Sequence, residues 1–146
     1  MLLMMPTQFQ QYCETIEECY EFTLSYAAQG HATDKGSSQG RQLRECLTRA
    51  VDAMRLLASS YAALIETGEF QPVERYEAFF ALLVRDANDA MAAVELVLAQ
   101  PAISSQLIDN LNASIHVRAL LTDMFLVEEI LEAHQARSTS EQHEVG

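Results

Sequence analysis

Few side chains in this sequence are of types that do chemistry, and their spacing excludes most of what they could do. Histidines stand at 31, 116, 134 and 143, and cysteines at 13, 19 and 46. A carboxylate-bridged di-iron centre in a helical bundle needs Glu-x-x-His on each of two helices. Ala113 stands three residues before His116 and Leu131 three before His134, so neither histidine fits. The cysteines are odd in number and show no Cys-x-x-Cys pair, which argues against a zinc ribbon, covalent haem or a disulfide scaffold. They read as thiols acting as small apolar residues, Cys13 on a core-like position. No nucleophile–base spacing and no glycine-rich phosphate loop is present. The expectation is a non-enzymatic chain with no catalytic residue, no metal and no cofactor.

The best chemical lead is the polar run from Gly30 to Gly40. Its segment His31-Ala32-Thr33-Asp34-Lys35-Gly36-Ser37-Ser38 leads into a basic stretch. Residues 35–55 hold five of the nine Lys and Arg residues of a chain with net charge −12. An imidazole beside clustered cations suits a phosphoryl group or an acidic partner. The candidate binding residues are therefore His31, Lys35, Arg41 and Arg44. The competing reading is that these cations pair with acidic helices beside them. The run resembles the reactive segment of histidine phosphotransfer domains, four-helix bundles whose active histidine is followed by Lys-Gly-Ser. That resemblance implies a phosphoryl-accepting role for His31. The sequence departs from the motif, because Lys35 lies four residues after the histidine rather than three, and His31 falls in a loop rather than mid-helix.

Hydrophobic periodicity supplies the elements that must position these residues. Four segments repeat apolar residues at alternating steps of three and four, the mark of one-sided helices. Phe9, Cys13, Ile16, Tyr20, Thr23 and Ala27 set the first helix at 7–29, with Gly30 as its stop. Residues 30–38 form a polar loop. The second helix, 39–67, has the cleanest seam: Leu43, Leu47, Ala50, Met54, Leu57, Tyr61 and Leu64. The third, 72–99, opens on Pro72 and buries Phe80 and Leu83 among others. The fourth, 102–134, is apolar around more than half its circumference between Leu120 and Leu131. Residues 136–146 carry no pattern and read as a disordered tail. The chain is long enough for one domain. The expected fold is all-α, a single-domain up-down-up-down four-helix bundle.

The acidic balance disfavours nucleic acid and anionic membrane surfaces as partners. No run reaches the ~18 apolar residues of a membrane span. The apolar Met1–Met5 lacks a preceding cationic region and meets Pro6 at once, so no targeting segment is read and a cytoplasmic location is expected. Polar residues of the third and fourth helices, Arg85, Asp86, Asp89, His116, Arg118 and Asp123, read as structural ion pairs where they face inward. The surplus apolar surface of the fourth helix predicts a homodimer, with Leu120, Met124, Val127 and Leu131 at its interface. The stretch Ala53–Ala58 through Glu66–Glu69 is similar to the second helix of flagellin export chaperones, over about a tenth of the chain. What all this implies is a protein-interaction module of the adaptor, export-chaperone or immunity/antitoxin type. The alternative is a bundle that binds a small molecule or phosphoryl group near the basic start of the second helix.

Overall fold

The computed structural model describes the backbone of residues 6–145 and the side chains of residues 6–138. Met1–Met5 lie outside the described residues. Five helices follow in order: α1 (Gln8–Ala28), α2 (Ser38–Thr67), α3 (Val73–Leu98), α4 (Ser105–Ala113) and α5 (Ile115–Val145), with no strand among the described residues. The first three match the periodic segments to within a residue. Thr7 closes a capping box on α1: its hydroxyl accepts from the Gln10 N–H at 3.1 Å, and the Gln10 side chain accepts from the Thr7 N–H at 2.8 Å. Gly30, at φ +72°, takes the left-handed conformation that ends α1. Pro72 is the N-cap of α3 rather than its first residue.

The fourth expected helix is two. Ser114 has extended backbone (φ −65°, ψ 143°) and splits α4 from α5. Serines drive the break: Ser104 caps α4 by accepting from the Leu107 N–H at 3.0 Å, and Ser114 accepts from the Val117 N–H at 3.3 Å. α5 runs on through residues 136–145, the stretch without an apolar pattern, to Val145. Residues 136–145 contain neither proline nor glycine, and lack of a buried stripe removes packing partners without removing helix propensity.

Contacts at the two ends fix how the helices pack. At one end, the end of α1, the start of α2, the end of α3 and the start of α4 meet through Tyr26, Arg44, Leu98 and Ile103. At the other, Phe9 of α1 packs edge-on against Tyr61 of α2, which also meets Phe79 of α3. α1 packs on α2, α2 on α3 and α3 on α5, while α4 rather than α5 covers most of α1.

The core follows the seams, with two corrections. Leu43, Leu47, Ala50, Met54, Leu57 and Tyr61 are all buried. Phe80, expected inside, is 37% exposed, and it is Phe79 that turns toward Tyr61. Leu120, Met124, Val127 and Leu131, expected at a dimer interface, are buried inside the chain. Being nearly one stripe of α5, they supply its own core contact, and the outward apolar residues are instead Phe125, Leu126 and Ile130.

Leu57 is fully buried at the middle of the α2 seam. Its replacement by alanine should cost roughly 2–5 kcal/mol in denaturant unfolding, through lost transfer energy and a residual cavity. A cost below about 1 kcal/mol would mean that the seam does not hold the core together.

Candidate functional site

Of the four residues singled out, His31 and Arg44 are held in a polar latch at one end of the molecule. Asp34 is buried, and its carboxylate accepts from the Arg44 Nε–H and from the Ile103 N–H at 2.7 Å. Arg44 also donates from Nη1 to the Leu98 carbonyl at 3.1 Å and from Nη2 to the Gln100 carbonyl at 2.9 Å. Its guanidinium thus satisfies carbonyls left over where α3 ends, which otherwise need water or a cap. The Arg44 guanidinium holds the Asp34 carboxyl below the usual carboxylate range. A second strand of the network runs through Ser105, which donates to the Tyr26 carbonyl at 2.6 Å while the His31 N–H donates to its hydroxyl at 2.7 Å. Gly40 lies so close that a Cβ there would sit 1.8 Å from the Asp34 carbonyl oxygen.

This geometry commits two of the four candidate residues, Arg44 and His31, to the fold. Arg44 commits its donors to Asp34 and two backbone carbonyls. The His31 ring stacks on Tyr26 with centroids 4.7 Å apart. Its Nε2 meets two amide oxygens, of Gln29 at 2.7 Å and of Gln39 at 3.0 Å. Nε2 is thereby engaged with two neighbouring side chains. Lys35 and Arg41 are exposed and do not converge with Arg44 on a common space. Elsewhere in the basic stretch, Arg55 lies 3.7 Å from Glu95 on α3, the inter-helix pairing that the sequence suggested.

At the opposite end lies an apolar groove that the periodicity did not reveal. Tyr61 and Ile65 of α2, Phe70 of the connecting turn, Phe79 of α3, and Leu126 and Ile130 of α5 line a cavity of about 420 Å³. Gly68 makes room for the Phe70 ring, since a Cβ there would come within 2.1 Å of it. Phe70 then meets Tyr76, at 5.0 Å, and His134, at 4.4 Å, with the rings tilted. The Tyr61 hydroxyl donates to the Tyr76 carbonyl at 2.7 Å, so the wall is held from within. Arg75 stands at the edge. A second cavity of about 460 Å³ shares Tyr61, Ile65 and Tyr76 and adds Glu66, Glu77 and Phe80. The first is large enough for a small ligand or for the anchor side chains of a peptide.

Two pairs of acids meet at α5, and one of them joins Asp86 and Asp123, residues expected in ion pairs. Asp123 is buried and faces Asp86 of α3, with no cation between them. Glu17 of α1 faces Glu128. Burial, and then the neighbouring carboxyl, push both Asp123 and Glu17 up to about 8. The Cys13 thiol, raised by burial, completes a cluster in which the Cys13, Glu17 and Glu128 donor atoms all lie within 4.8 Å of one another. These three could hold a divalent ion, and a shared proton satisfies the two carboxyls equally well. Arg85, Asp89, His116 and Arg118 are exposed.

Comparison of the chain with protein-family models, with curated proteins and with solved structures finds no match. The site must therefore be judged on its own geometry.

The acid pairs set a pH dependence. A carboxyl whose folded pKa is raised stabilises the fold fully below its unfolded value, and that stability is lost as pH climbs toward the folded value. For Asp123 the window runs from 3.8 to about 8, and for Glu17 from 4.5 to about 8. Asp34 acts oppositely, and its contribution is lost only in acid. The melting temperature should fall between pH 5 and pH 8.5. Asp123→Asn should flatten that fall and raise the value at pH 8 by roughly 2–4 °C. Identical profiles for the two proteins would show that Asp123 is ionised in the fold.

Proposed function

We propose that this chain is a non-enzymatic protein-interaction module, of the adaptor, export-chaperone or immunity/antitoxin type, and that the groove between α2, α3 and α5 is its working surface. One observation carries the reading. The groove is lined by large apolar residues that α5 leaves exposed, Leu126 at 52% and Ile130 at 41%. Contiguous apolar surface of this kind usually marks a contact with another molecule. The latch supports it from the other side, because His31 and Arg44, two of the four residues that would have held a phosphoryl group, are bonded into the fold.

Part of the same proposal is an up-down-up-down arrangement in which α4 and α5 together take the place of a fourth helix. The contacts at the two ends support it. A reducing, cytoplasmic setting is also part of it and suits Cys13, Cys19 and Cys46, which are free and buried. No helix among the described residues is long and apolar enough to cross a membrane.

A homodimer is the second reading. It rests on the same outward residues of α5, with Ile115 added at 74% exposure.

Leu126→Glu and Ile130→Glu place a charge in the groove without touching the buried stripe of α5. Both variants should keep the circular dichroism of the wild type. In pull-downs from the native host, a partner retained by the wild type should be lost from both and kept by His31→Ala. Loss with His31→Ala, and retention by the groove variants, would move the working surface to the latch. Sedimentation equilibrium at tens of micromolar reads the dimer directly.

A further inference from the structure

We propose that the groove receives a cationic amphipathic helix of a partner protein, whose apolar face enters the first, apolar cavity while its Lys or Arg side chains meet Glu66 and Glu77. This rests on the reading of the groove as an interaction surface and specifies the chemistry of what it takes.

The two cavities differ in a way that selects the occupant. The first is walled mainly by apolar and aromatic side chains from α2, α3 and α5 and the turn between α2 and α3. The second shares the wall formed by Tyr61, Ile65 and Tyr76, but its charged lining is two carboxylates, Glu66 from α2 and Glu77 from α3. Both glutamates are exposed, and neither makes an ion pair among the described residues. A ligand lying across the shared wall therefore meets an apolar slot on one side and a pair of negative charges on the other. An amphipathic helix offers that combination within a turn or two, because residues three and four apart share a face while cations flank it.

The surroundings carry the same sign. Glu69 in the α2–α3 turn, Glu74 in the first turn of α3, and Glu129 and Glu132 on α5 are all exposed around this end of the molecule. Arg75 is the one Lys or Arg that lines the first cavity. Such a rim steers a cationic segment toward the groove and repels an acidic one. A second copy of this chain is a poor occupant on these grounds. It brings the same acidic rim and a net charge of −12 against another −12.

The test uses the full chain and three labelled helical peptides of equal length. The first has leucines at i, i+4, i+7 and i+11 flanked by lysines. In the second the lysines become glutamates. The third keeps the lysines and scrambles the leucines around the helix. Fluorescence anisotropy should show saturable binding of the first alone, with the other two weaker by roughly tenfold or more. Leu126→Glu should abolish that binding, Glu66→Gln combined with Glu77→Gln should weaken it several-fold, and added salt should weaken it in the wild type but much less in the double variant. Equal binding of the lysine and glutamate peptides would overturn the inference and leave the groove a general apolar docking surface. Equal binding of the scrambled peptide would overturn it as unspecific attraction to an acidic protein. A dimer in sedimentation equilibrium that Leu126→Glu dissociates would also overturn it, with the second copy as occupant. If no peptide binds, the inference fails by itself. The module reading then stands or falls on whether the groove variants lose the native partner.

Discussion

The buried pair between Asp34 and Arg44 is the constraint on which the rest of the molecule hangs. Asp34 belongs to the loop between α1 and α2, yet its carboxylate also holds the backbone of Ile103 just before α4. Arg44 belongs to α2, yet its guanidinium holds the last carbonyls of α3. Four of the five helices are registered against one another by these two side chains. Taking the Asp34 charge out of water is costly, and the cost is offset because its carboxylate accepts from both Arg44 and the Ile103 N–H. Removal of Arg44 would leave the Asp34 carboxylate buried without its cation, a loss beyond that of a surface ion pair.

A bundle fastened at one end in this way can afford to be unfinished at the other. Where the latch closes one end with hydrogen bonds, the opposite end has aromatic rings around a space they do not fill. Phe70 turns back over the Gly68 turn to wall that space, and Tyr61 braces it through the Tyr76 carbonyl. α5 passes over it with one stripe committed to the core and a second, of Leu126 and Ile130, left facing out. Fold and proposed function thus draw on different residues, so groove substitutions should change binding without dismantling the bundle. The acid pairs are a separate feature. They place two proton-holding carboxyls against α5 and make its docking weaker as pH rises.

Much of this was legible in the sequence where a local rule decides the outcome. The α2 seam, the Gly30 stop and the glycine- and serine-rich loop follow from periodicity and turn chemistry, and the structure agrees with them. The α4–α5 break was hidden because apolar residues continue on both sides of Ser114, and only the capping serines mark it. The choice between Phe79 and Phe80 was beyond the reach of periodicity, since adjacent residues lie only 100° apart on a helix and neighbouring helices settle which faces inward. Reading Leu120, Met124, Val127 and Leu131 as an interface mistook the core stripe of α5 for its surplus. The functional residues were misread for a related reason. A basic stretch in a polar loop looks like a binding site until Asp34 is found beneath it. The groove and the acid pairs join residues that stand far apart in sequence, which no spacing rule connects.

The central claim is that the molecule has one closed end and one receiving end. Methyl NMR on the full chain, titrated with the lysine-flanked amphipathic peptide, examines it most directly. The account predicts saturable shifts at Ile65, Leu126, Val127, Ile130 and Leu131, with Leu43, Leu98 and Ile103 around the latch unmoved. Shifts centred on the latch methyls, with the groove methyls silent, would contradict it.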